Sequence, residues 1–134
     1  MNPSQRDDLI NNLAFHTAWI AIEERFLRLY PHHKAARVVQ NILFIEQEML
    51  GTLAHAMRQR DIAPNQVEPD AKIMAQARQR KSPETLLRYI EHGMEISRKW
   101  YQSRLIDPEQ PLFDLWRTLA ELQESIHQEI LSLY

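Results

Sequence analysis

Apolar residues recur every three to four positions through four long stretches of the chain, the spacing of amphipathic helices. The first stretch opens at Pro3–Ser4, with Ser4 placed to cap it and Asp7 and Asp8 in the first turn, where acids suit the helix dipole. It runs to Tyr30 and stops at Pro31. The second covers about 32–60 and gives way to Asp61, Pro64, Asn65 and Pro69. The third starts at Ser82-Pro83-Glu84, a cap followed by proline at the first helical position, and covers about 83–106. After Asp107-Pro108-Glu109-Gln110-Pro111, with either Asp107 or Gln110 as cap, the fourth covers about 109–133. The pattern predicts four helices, each roughly 33–42 Å long.

The connections differ in length. The first and second segments meet tightly at Pro31, and the third and fourth near Asp107, so each couple forms an antiparallel pair. Residues 61–82 separate the pairs, and within them Asp70–Arg80 has the makings of a short helix. A connector that long inside one domain is explained by a crossover along the molecule, which leaves the second and third segments parallel. An up-down-up-down arrangement with a decorated loop is the alternative. The expected fold is an all-α four-helix bundle forming a single domain over 1–134.

Composition narrows the chemistry. The chain has 134 residues but only two glycines, against about 7% in average proteins. Gly51 and Gly93 stand apart inside helical patterns, which closes nucleotide-binding glycine loops and strand-rich folds. There is no cysteine, hence no disulfide, thiolate nucleophile or cysteine-ligated metal. With 16 Lys and Arg against 18 Asp and Glu, the chain lacks the excess charge of a nucleic-acid binder. The basic run of Lys72, Arg78, Arg80 and Lys81 reads as a solvated connector. No stretch has the roughly 20 apolar residues of a membrane span, and no leader is evident. A cytoplasmic domain without membrane or nucleic-acid partner is the expectation.

The helical faces single out a few polar residues. On the first segment, Phe15, Trp19, Ile22, Phe26 and Leu29 form one apolar stripe, and Leu9, Leu13, Ile20 and Leu27 another. Asn12, His16, Glu23 and Tyr30 lie between them, whereas Glu24 points away. Glu46 sits at the centre of the second segment's apolar face. The third buries Leu86, Ile90, Met94, Trp100, Tyr101 and Leu105, with Gly93 and Ser97 among them and Glu91, His92 and Glu95 outside. On the fourth, Gln123 and His127 fall within a face that also holds Trp116, Leu119, Ile126 and Tyr134.

A buried carboxylate needs a partner, a metal or a proton. The tight turn at Pro31 sets Glu46 level with His16, which predicts a Glu46–His16 pair. The crossover sets Glu23 level with Gln123 and His127, making a second polar tier. The wide apolar arc of the first segment suggests that its Phe15–Leu29 stripe packs the crossover or forms a homodimer.

An inward Glu on each of the first two helices, an inward His on the fourth and the closing Glu124-x-x-His127 resemble the ferritin-like superfamily, in particular small bacterial domains related to rubrerythrin. The resemblance spans nearly the whole chain through loose patterns. It implies a ligand set of Glu23, Glu46 and His127, with His16 and Gln123 auxiliary, suited to Fe, Mn or Zn and to oxygen or peroxide chemistry. The set is incomplete: Met49 stands where a histidine is expected after Glu46, and no acid of the third segment faces inward. The expectation is therefore a non-catalytic interaction or scaffold domain with buried Glu/His tiers, a metal-binding protein being the alternative.

Overall fold

The computed structural model describes residues 1–134 as five α-helices and no strand: α1 (Pro3–Leu29), α2 (Ala36–Arg58), α3 (Ala71–Arg78), α4 (Pro83–Ser103) and α5 (Phe113–Leu131). A 3-10 turn spans Pro64–Gln66. The chain is all-α.

Local chemistry sets the helix ends. The cap of α1 is Asn2 rather than Ser4: its side chain accepts from the Gln5 amide at 2.9 Å, and the Gln5 side chain accepts from the Asn2 amide at 3.1 Å. This reciprocal box satisfies the Asn2 and Gln5 amides at once. Ser82 caps α4 as the sequence indicates, accepting from the Thr85 amide at 3.1 Å. Two starts fall later than the pattern suggests. Before α2, the His33 ring accepts from the Ala35 amide at 3.0 Å, which holds the turn open until Ala36. Before α5, Asp107 accepts from the Glu109 amide at 3.0 Å and Gln110 donates to the Arg104 carbonyl. Both residues fold the turn instead of capping the helix, whose cap position, Leu112, makes no side-chain bond. At the end of α2, Asp61 takes φ 58° and the Ile62 amide reaches back to the Met57 carbonyl at 3.0 Å. That closure satisfies a terminal carbonyl, and Ile62 buries its side chain beneath it.

Contacts between helices fix their directions. Along α1 and α4, Asp8 meets Arg104, Trp19 meets Gly93, and the Tyr30 hydroxyl meets the Lys81 carbonyl, so the two are antiparallel. Along α4 and α5, Glu91 meets Tyr134, Ser97 meets Gln123, and Trp100 meets Trp116, which is antiparallel again. Asn41 of α2 donates to Glu129 of α5 at 2.6 Å. Since α2 folds back on α1, α2 and α4 run in the same direction.

The connector joins them by climbing α1. Residues 62–68 lie beside Arg6, Ile10 and Ala14. The Asp70 amide donates to the Ala14 carbonyl at 3.1 Å, and Arg25 donates to the Ala77 carbonyl at 3.4 Å. This packing accounts for the wide apolar arc of α1. Trp19, Ile22 and Phe26 are buried within the chain, and of that stripe only Leu29 is substantially exposed. Tyr134, expected in the core, is 85% exposed, because the chain leaves α5 at Leu131 and its hydroxyl turns to Glu91.

Candidate functional site

Four polar side chains from three helices meet in the apolar centre of the molecule. His16 and Glu23 project from α1 two turns apart, Glu46 from the middle of α2, and Tyr101 from the last turns of α4; each is fully buried. Heptad spacing puts His16 and Glu23 on one face of α1. Glu46 faces them because the turn between α1 and α2 is short. Phe15, Trp100 and Trp116 pack around the His16 and Tyr101 rings, which lie nearly parallel with centroids 6.0 Å apart.

His16 Nδ1 lies 2.5 Å from Glu46 Oε2, and His16 Nε2 lies 2.7 Å from the Tyr101 hydroxyl oxygen. Donor order follows by elimination. The Tyr101 hydroxyl has no other acceptor, so it donates to Nε2; Nδ1–H then donates to Glu46. Burial, and after it the Glu46 carboxylate, holds the Tyr101 hydroxyl well above its ordinary 10.0, so it stays protonated. Glu23 lies beside Glu46. Burial first, and then the Glu46 carboxylate, raises Glu23 well above its ordinary 4.5, with Glu24 adding a smaller push. Both Glu23 oxygens and Glu46 Oε1 are buried without a donor from any other residue. Two adjacent carboxylates in such a medium share a proton rather than carry two charges. Burial beside the Glu46 carboxylate therefore holds Glu23 toward its neutral form, next to the chain Tyr101, His16, Glu46.

The other two candidate residues lie apart. Gln123 is buried one step along α4 and α5, accepting from the Ser97 hydroxyl at 2.7 Å and donating to the Met94 carbonyl at 3.3 Å. His127 is at the margin, not in the core: its side chain is 25% exposed and its Nδ1 lies 4.0 Å from Glu95. The expected tier of Glu23 with Gln123 and His127 does not form. The inward face of α5 is centred on Trp116, Leu119, Gln123 and Ile126, which turns His127 outward. Glu124 lies outside as well, bonded to Arg98 at 2.7 Å and Gln102 at 3.0 Å.

Tyr101 is the member that sequence reading treats as plain core. The available signal was its hydroxyl, since a buried tyrosine on an inward face needs a partner. Of the ligand set implied by the resemblance, the structure brings together His16, Glu23 and Glu46, and leaves Gln123 and His127 elsewhere. No group of three or more His, Asp or Glu side chains is arranged to hold a metal ion. None of the five best-defined surface concavities is lined by His16, Glu23, Glu46 or Tyr101. The chain matches no protein-family model, no curated protein and no solved structure.

Proposed function

We propose that the chain is a ferritin-like four-helix bundle serving as a non-catalytic interaction or scaffold module, with a polar core that fixes helix register. The short–long–short order of connections and the shared direction of α2 and α4 support the bundle topology. One observation carries the functional reading: both ring nitrogens of His16 are engaged, Nδ1 by Glu46 and Nε2 by Tyr101. A ligating histidine needs a free ring nitrogen, so the core donors suit a shared proton better than a metal ion. Hydrogen bonds that connect α1, α2 and α4 in one alignment are a device for register, because sliding any helix by a turn strands a buried polar group. Trp19, Ile22 and Phe26 of the α1 stripe are buried within the chain, so this reading does not require a homodimer through it.

The metal-binding alternative rests on the three buried carboxylate oxygens of Glu23 and Glu46 that lack a donor. In that case these two residues would hold Fe, Mn or Zn, and the ion would supply oxygen or peroxide chemistry. Protein purified without a metal-affinity tag, assayed for bound metals before and after anaerobic Fe(II) addition, separates the two. Our reading predicts substoichiometric metal in both samples. One or more ions per chain, lost in Glu46→Ala, would establish the alternative.

A further inference from the structure

Arg80 and Lys81, the end of the connector's basic run, which neither the core network nor the bundle topology uses, face a concavity of about 820 Å³ at the α3–α4 junction. They line it together with Arg88, Tyr89 and His92 of α4. On α4 the spacing of Thr85, Arg88, Tyr89 and His92 places them on a single helical face. No acid lines the concavity. The two acids nearest in sequence, Glu84 and Glu91, line an adjoining concavity that Arg88 also borders, where Glu84 lies 3.7 Å from His33 and Glu91 accepts from Tyr134.

Arg80, Lys81, Arg88 and His92 form no ion pair within the chain, whereas Arg98, Arg104 and Arg117 all do. Arg80 is also held in place. Its guanidinium lies 4.8 Å over the centroid of the Tyr89 ring, and that ring is fixed by Trp19 at 4.8 Å and by donation to the Ile73 carbonyl at 3.4 Å. A planar fork fixed in this way keeps its donors for a ligand and loses little freedom on binding one. Convergent, unpaired cations facing one concavity raise the local concentration of anions. The geometry points to a binding site for a small anion of the polyphosphate type, with Arg80 and Arg88 as its principal contacts.

The size and the cations favour a compact ligand over a nucleic-acid strand. The basic groups converge on one concavity instead of tracking along the surface, and Tyr89, already packed by Arg80 and Trp19, offers no free face to a base.

Calorimetric titration of the full chain with inorganic pyrophosphate, at constant ionic strength, tests the site. Saturable binding of one pyrophosphate per chain is expected, weakened by about tenfold or more in Arg80→Gln/Arg88→Gln through loss of two charge-assisted contacts. The control Arg58→Gln/Arg117→Gln removes the same charge at the other end of the molecule and should bind as the unaltered chain does. Titration with ADP then distinguishes the source: tighter binding than pyrophosphate indicates a nucleotide, equal or weaker binding a free polyphosphate, and either supports the site. Absence of saturation, equal weakening in both double variants, or citrate binding as tightly as pyrophosphate would overturn it. Binding of a single-stranded oligonucleotide without binding of pyrophosphate would overturn it too.

Discussion

His16 sits between Glu46 and Tyr101 with both nitrogens in use, and each neighbour depends on it in turn. Tyr101→Phe removes one oxygen, keeps the ring, and leaves His16 Nε2 buried without a partner. The expected cost is about 1–3 kcal/mol in urea unfolding, the penalty for an unsatisfied buried polar atom. Unchanged stability would show that Nε2 has another donor. These residues were unequally legible in the sequence. His16, Glu23 and Glu46 stood out because a polar residue on an apolar face is conspicuous, and the short turn at Pro31 aligned two of them. Tyr101 did not stand out, because its ring is apolar enough to fit the pattern of its face. His127 was misplaced because the inward arc of α5 is narrower than its apolar letters suggest, and a residue one position after Ile126 falls at its rim. The partner of Glu23 depended on the relative rotation of α1 and α2, which periodicity does not fix.

Between helices, the two glycines have opposite roles. Gly93 lets α4 approach the Trp19 ring so closely that an added Cβ would fall 2.1 Å from Trp19 Cζ2. Gly93→Ala must push apart α1 and α4 or turn the fully buried indole, at a cost of about 1–3 kcal/mol from overpacking. Gly51 has nothing within 4 Å of its would-be Cβ. Gly51→Ala should stabilise α2 by about 0.5–1 kcal/mol, the helix-propensity difference. Thermal unfolding of the two variants should therefore shift in opposite directions; shifts of the same sign would contradict the α1–α4 contact. From the sequence alone both glycines read as isolated interruptions of helices. The elements themselves were legible where proline and a side-chain cap coincide, as at Ser82–Pro83. They were less so where a helix starts without a side-chain cap, at Ala35 and Leu112, because the bonds that delay those starts come from His33 and Gln110 in the turns.

The molecule as a whole hangs on the connector. Its path along α1, fixed by bonds to Ala14 and from Arg25, covers the apolar stripe of α1 and returns the chain so that α4 runs with α2. The length of the connector was enough to suggest such a path, but the side of the molecule it follows was not written in its composition. The polar core then links α1, α2 and α4, and it can do so with only one buried charge if Glu23 keeps its proton. That state has a pH signature. Because Glu23 is raised in the fold above its ordinary 4.5, the folded protein retains a proton that the unfolded chain releases. Its contribution to stability is full below pH 4.5 and is lost as pH rises toward the folded value, with a slope of up to about 1.4 kcal/mol per pH unit. Glu23→Gln keeps the shape and donates from its amide to Glu46 without titrating. Urea unfolding of both proteins from pH 5 to 8, compared as a difference, isolates this group from all others. The stability of the unaltered chain should fall relative to Glu23→Gln as pH rises. Parallel curves, or a relative gain with rising pH such as a charged Glu23 held by a cation would give, would contradict a proton-sharing core.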